Sequence, residues 1–123
     1  MEIHEAAEMY LETILILRNR NGEVRSIDIA REMGYSKPTI SIKMKQFREE
    51  GLITVDDEGY IELTEKGRDV AEMIYERHQI LTKFLISLGV EEDIAADDAC
   101  LIEHDLHPET FERIKEYYHK VLA

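Results

Sequence analysis

The stretch Ser26-Ile27-Asp28-Ile29-Ala30-Arg31-Glu32-Met33-Gly34-Tyr35-Ser36-Lys37-Pro38-Thr39-Ile40-Ser41-Ile42-Lys43-Met44-Lys45-Gln46-Phe47 decides the fold. It predicts a short helix with Ser26 as its N-cap and Gly34 as its stop. A hydroxyl side chain satisfies first-turn amides, and glycine takes the left-handed C-terminal conformation freely. Tyr35 and Ser36 make a tight turn, and a second helix runs from Lys37 to Glu50, closed by Gly51. Two short helices joined through a glycine turn are the helix-turn-helix pattern. Ile40, Met44 and Phe47 repeat at i, i+4 and i+7 and must face a core. At about 100° per residue, Pro38, Ser41, Ile42 and Lys45 fall on the opposite face, with Lys43 and Arg48 flanking it.

That outward face holds small hydroxyls, one isoleucine and lysines, with no acid before Glu49. Small side chains let a helix enter the major groove of DNA, hydroxyls bond phosphates or bases, and an apolar group can touch the thymine methyl. Ser36 at the helix N-terminus leaves backbone N–H groups for a phosphate. The candidate DNA-contacting residues are Ser36, Lys37, Pro38, Thr39, Ser41, Ile42, Lys43 and Lys45.

Working outward, Leu52-Ile53-Thr54-Val55 and Tyr60-Ile61-Glu62-Leu63 are β-rich runs around Asp56-Asp57-Glu58-Gly59, which reads as a hairpin. A hairpin directly after a recognition helix makes a wing. Its tip carries three acids that repel phosphates, so the wing is expected off the DNA. Upstream, residues 4–20 read as a helix with Ala7, Leu11, Ile14, Leu15 and Leu17 as its apolar stripe, ended by Asn21-Gly22. Met9 and Glu12 are neighbours on one face of it. Taken alone, Met9 is a core filler and Glu12 a solvated surface acid.

Downstream, Thr64 caps a helix over 65–88 whose apolar positions include Val70, Ile74, Leu81, Phe84, Leu85 and Leu88. His78 lies on it and by itself reads as a satisfied core or interface histidine. Gly89 ends that helix, and Glu91-Glu92-Asp93 opens another that carries Cys100, Glu103 and His104. At i, i+3 and i+4 these three share one face. A thiolate, a carboxylate and an imidazole are ligand types for a divalent transition metal. His107-Pro108 breaks the helix, and a last amphipathic helix follows through Phe111, Ile114, Tyr118 and Leu122. The apolar faces in 65–123 exceed what these helices bury in one another, which predicts a homodimer.

The length of 123 residues and 44% apolar content suit one compact unit or two small subdomains sharing a core. No apolar run approaches the roughly 20 residues of a membrane span, and one cysteine excludes an internal disulfide, so a cytoplasmic protein without membrane contact is expected. The net charge of −12 argues against a non-specific nucleic-acid coat. Residues 36–50, with four basic and two acidic side chains, are positive within this acidic chain, and a negatively charged partner would land there.

Several spaced motifs carry a resemblance over nearly the whole chain. Glu8-Met9-Tyr10-Leu11-Glu12-Thr13-Ile14, Ile29-Ala30, Ser36-Lys37-Pro38-Thr39-Ile40-Ser41, Gly51-Leu52-Ile53, Leu63-Thr64-Glu65-Lys66-Gly67, Arg77-His78 and Cys100-x-x-Glu103-His104 follow one another in an order that resembles the diphtheria toxin repressor and manganese transport regulator family of metal-dependent transcriptional repressors. The resemblance implies a mainly α protein with a small β-wing: a winged helix-turn-helix DNA-binding domain over 1–66, then an all-helical dimerisation and metal-binding domain over 67–123.

It further implies that Met9, Cys100, Glu103 and His104 match the regulatory site of iron-type members. Manganese-type members have an aspartate in place of Met9 and a glutamate in place of Cys100. Glu12 and His78 match residues that manganese-type members use for a second ion. Thr82 and Ala96 stand where the iron-type ancillary site has a carboxylate and an imidazole. Two sulfur ligands favour Fe(II), with Co(II), Ni(II) or Zn(II) as substitutes in vitro and Mn(II) as the alternative. The expected protein is a homodimeric repressor of metal-homeostasis genes that binds a palindromic operator in double-stranded DNA, and not an enzyme. A metal held by both domains would set the spacing of the two recognition helices, with an affinity that falls as pH drops because Cys100 must lose its proton. The alternatives are a Mn(II)-responsive regulator with a binuclear site and a winged-helix regulator sensing a non-metal ligand. A metalloenzyme would need a general base or nucleophile motif that this sequence lacks.

Overall fold

The computed structural model describes residues 5–122. Among them are six α-helices and one two-stranded sheet: α1 Glu5–Asn21, α2 Ser26–Met33, α3 Lys37–Glu49, β1 Ile53–Val55, β2 Ile61–Leu63, α4 Glu65–Ser87, α5 Glu92–Ile102 and α6 Pro108–Tyr117, followed by a π-helical turn Tyr118–Leu122. The expected helix start at residue 4 lies outside the described residues. The chain forms two compact units, one reaching Glu72 and one from Met73, so the boundary falls within α4.

The amino-terminal unit is the mainly α, β-winged half expected of a winged helix-turn-helix. Its core is built from Leu11, Ile14, Leu15 and Leu17 of α1, Ile29 and Ala30 of α2, Ile40, Met44 and Phe47 of α3, and Leu52, Ile53 and Ile61 of the wing, all buried. The three α3 residues are those whose i, i+4, i+7 spacing demanded it. Tyr10 stacks tilted on Phe47 at 5.5 Å and stands 6.1 Å from Tyr35 in the turn between α2 and α3. Gly34 takes φ 73°, the left-handed conformation that stops α2 and re-aims the chain into α3.

The start of α2 departs from expectation. Its N-cap is Arg25, not Ser26, and Asp28 Oδ2 accepts the Arg25 backbone N–H at 2.9 Å. The cause is tertiary. Arg25 forms an isolated antiparallel bridge with Tyr60, and the Ile61 N–H reaches the Val24 carbonyl at 2.7 Å. That pairing holds Arg25 extended, at φ −121° and ψ 165°, so the helix begins right after it and the hydroxyl of Ser26 is not used as a cap. The Arg25 guanidinium then lies 4.3 Å from the Tyr60 ring centroid.

In the wing, Ile53 pairs with Leu63 and Val55 with Ile61. Asp56 shapes the tip: its Oδ1 accepts from the amides of Glu58 and Tyr60, both at 2.9 Å. The wing closes onto α4 through Thr64, whose hydroxyl donates to the Gly51 carbonyl at 2.7 Å and accepts from the Gly67 amide at 3.1 Å. Gly67 is required there, because a β-carbon would overlap the Leu52 carbonyl oxygen.

The carboxy-terminal unit is all-helical. Ile74, Arg77, Ile80 and Leu81 of α4, Ala95 and Ala99 of α5 and Phe111 of α6 are buried in it. An ion pair between Lys115 and Glu76 at 2.9 Å and an edge-on ring contact between Phe84 and Tyr117 at 6.3 Å join α6 to α4. No helix among the described residues is long and apolar enough to cross a membrane.

Candidate metal centre and nucleic-acid interface

Cys100 sits in the last turn of α5, exposed. The expectation that one helix carries Cys100, Glu103 and His104 needs correction: α5 stops at Ile102, and Glu103 and His104 belong to the turn after it. The Glu103 N–H still reaches the Ala99 carbonyl at 2.9 Å, but the Asp105 N–H then closes on Ile102 at 3.0 Å, a tighter turn. The carbonyls set free there are taken by Arg77 of α4, whose Nη1 donates to Glu103 O at 2.9 Å and Leu106 O at 3.0 Å. Sequence reading gave Arg77 no role beyond its place beside His78 in the motifs that carry the resemblance.

Glu103 is 0% exposed. Its Oε2 is hydrogen-bonded to His78 Nδ1 at 2.9 Å. Its Oε1 lies 3.4 Å from His104 Nε2, an ion-pair distance without hydrogen-bond alignment, so this oxygen is buried with no hydrogen bond. A carboxylate withdrawn from water is costly unless a cation or full hydrogen bonding compensates it. One ligand atom each from His78, Cys100 and Glu103 lie within 4.8 Å of one another. Donors on one tetrahedral ion stand about 3.3–3.8 Å apart, so a shared ion would draw these three atoms closer together. A thiol, an imidazole and a carboxylate with an unbonded buried oxygen fit a divalent transition ion.

His104 stands beside this trio, on the other oxygen of Glu103, with its side chain fully buried. His78 is thus brought to the cluster rather than left as a lone core histidine. Thr82 spends its hydroxyl on the His78 carbonyl at 2.7 Å. Met9 and Glu12 lie on α1 in the other unit, and both reverse their expected burial. Met9 is 37% exposed, not a core filler, and Glu12 is 8% exposed, not a solvated acid. An amphipathic helix that shows a thioether and hides a carboxylate breaks the ordinary apolar-inside rule.

On α3 the outward residues are arranged as the spacing predicts. Ser36, Lys37, Pro38, Thr39, Ser41 and Lys45 are exposed, Lys43 is half-buried, and Ile42 is 67% exposed. The first turn offers fewer amides than expected. Pro38 has no N–H, and the Thr39 amide goes to Ser36 Oγ at 3.3 Å, which leaves Lys37 to present a backbone donor to a phosphate.

A winged helix-turn-helix joined to helices that gather a thiol, an imidazole and a buried carboxylate defines the class: a metal-dependent DNA-binding regulator. Known proteins agree. The model for the iron dependent repressor N-terminal DNA binding domain matches residues 2–67, and that for the iron dependent repressor metal binding and dimerisation domain matches residues 64–121. The transcriptional regulator MntR of Escherichia coli O6:H1 is 35% identical over 94% of this chain and 75% of its own length. The iron-dependent repressor IdeR of Mycobacterium tuberculosis is 29% identical over 92% of this chain and 50% of its own length. The structure of the manganese regulator SloR superposes with a TM-score of 0.79 at 28% identity, covering 97% of this chain and 55% of SloR. The chain thus spans about half the length of IdeR and of SloR. It belongs to the iron-dependent repressor family, whose members are metal-dependent, DNA-binding transcriptional repressors and not enzymes.

Proposed function

We propose that this repressor acts in the cytoplasm as a homodimer. It binds a palindromic operator in double-stranded DNA when Fe(II) is held by Met9, Cys100, Glu103 and His104, and so controls metal-homeostasis genes. The observation that carries the reading is the cluster of His78, Cys100 and Glu103, with ligand atoms within 4.8 Å, in a chain whose α3 also exposes a basic, hydroxyl-rich face. Met9 and Glu12 enter the ligand set on the family resemblance. Cys100 supplies a soft thiolate, which favours iron over manganese. Glu103 supplies a buried carboxylate oxygen and His104 an imidazole nitrogen, while His78 holds the other oxygen of Glu103. A bound divalent ion supplies the positive charge that these groups share.

A second reading is supported by Glu103 itself. One imidazole stands at each of its oxygens, His78 at Oε2 and His104 at Oε1, the arrangement of a carboxylate able to bridge two ions. With Glu12, this makes a binuclear, oxygen- and nitrogen-rich site suited to Mn(II), the metal that the name of SloR carries. The two readings differ in stoichiometry.

The test selects binding sites from randomised DNA duplexes with metal-loaded protein, then measures affinity for the selected duplex with anaerobic Fe(II), with Mn(II) and with chelator. Fe(II)-dependent binding that is lost in Cys100→Ala supports the first reading. Two Mn(II) per chain, with binding abolished by Glu12→Ala and kept by Cys100→Ala, supports the second. Equal binding in chelator would falsify both.

A further inference from the structure

Arg77 is 6% exposed, and among the described residues no carboxylate pairs with it. A guanidinium buried without a counter-charge is costly. Its bonds show what it is kept for. Nη1 alone donates to both Glu103 O, at 2.9 Å, and Leu106 O, at 3.0 Å. The guanidinium carbon lies 5.3 Å from the Phe111 ring centroid, and Nε is buried with no hydrogen bond. Glu103 and Leu106 lie in the turn after α5, where no helical N–H serves their carbonyls, and the negative end of the helix dipole beside them favours a cation. Here the cation arrives from a different helix and closes the turn over residues 103–106.

The consequence lies in what that turn carries. Glu103 is gripped by two consecutive residues of α4: Arg77 holds its backbone carbonyl, and His78 holds its carboxylate at 2.9 Å. His104, one residue on, stands at the free oxygen of the same carboxylate. We propose that Arg77 is a positioning residue for the metal centre. It offers no ligand atom, and by fixing the turn it sets Glu103 and His104 in place for an ion that Cys100, inside α5, meets from the helix. Supporting groups of this kind typically change metal affinity by about 10–100-fold when removed. The inference rests on the metal reading above.

The test uses the full chain with Co(II) as the probe ion, under anaerobic conditions, comparing wild type with Arg77→Met and Arg77→Lys. Arg77→Met is expected to bind Co(II) about 10–100-fold more weakly. Its thiolate-to-Co(II) charge-transfer band should persist, because Cys100 is held by α5, whereas its ligand-field bands should shift as Glu103 and His104 lose register. Arg77→Lys is expected to recover most of the affinity and the wild-type spectrum, since both carbonyls are served by one nitrogen. If Arg77→Met does not fold, Arg77→Gln takes its place, with an amide donor and no charge. A neutral variant that loses apo thermal stability yet binds Co(II) with wild-type affinity and spectrum overturns the positioning role and leaves Arg77 as packing. Equal weakening in the Lys and neutral variants overturns it too. Wild-type protein that binds no Co(II) refutes the metal centre itself, a result distinct from either.

Discussion

Glu103 combines full burial with an oxygen that makes no hydrogen bond, a state that lowers stability and readies the side chain for a cation. Sites of this kind trade folding free energy for binding. Glu103→Gln removes the buried charge while keeping the shape, so its two effects have opposite signs. The apo protein should be at least as stable as wild type, since an amide is cheaper to bury than a carboxylate, and Co(II) affinity should fall at least about tenfold. Thermal melts of the apo protein and Co(II) titrations read the two directly, and a Gln variant less stable than wild type would contradict this account. In the proposed site Cys100 is the soft ligand. Cys100→Glu exchanges a thiolate for a hard carboxylate, and the ratio of Mn(II) to Co(II) affinity should rise by roughly tenfold or more, measured by competition against a chromogenic chelator.

The element that ties wing to helix is the start of α4, where the Leu52 carbonyl oxygen accepts the Thr64 amide at 3.0 Å and presses on Gly67. Gly67→Ala forces backbone against backbone, which no rotamer change relieves. The expected loss is about 2 kcal/mol, seen as a fall of roughly 10 °C in thermal midpoint. On α3 the proposed DNA-contacting face presents both charged and apolar side chains. Lys45→Ala should weaken DNA binding evenly across sequences and reduce the salt slope by about one phosphate contact. Ile42→Ala should leave the slope unchanged and relax discrimination at one base pair, since an exposed isoleucine can read a thymine methyl and carries no charge. Binding isotherms at several salt concentrations separate the two.

For the molecule as a whole, a net charge of −12 with a positive segment at 36–50 makes DNA binding an affair of few contacts. Under the proposed function, such binding depends on how the recognition helices are presented, and a bound metal would act there. Linkage makes the effect reciprocal: if Fe(II) tightens operator binding tenfold, operator must tighten Fe(II) binding tenfold, about 1.4 kcal/mol. Metal titration with and without the selected duplex checks this. Unequal factors would mean that DNA binding involves a step outside the metal–DNA cycle.

The sequence by itself determined whatever rests on local interactions. The α2–turn–α3 motif was legible because a glycine at position 34 takes the left-handed conformation freely, and Ile40, Met44 and Phe47 share a face whatever surrounds them. The hairpin and the breaks between helices were legible for the same reason. Tertiary structure decided what depends on residues distant in the chain. A strand bridge from Tyr60 moved the cap of α2 from Ser26 to Arg25. Arg77, 26 residues before Glu103, took the carbonyls of the turn that follows α5. His78, which alone reads as an ordinary core histidine, became the partner of a buried carboxylate 25 residues away. Periodicity places a side chain on a face of its helix, but only packing between helices decides which donors share one small volume and which of them water still reaches.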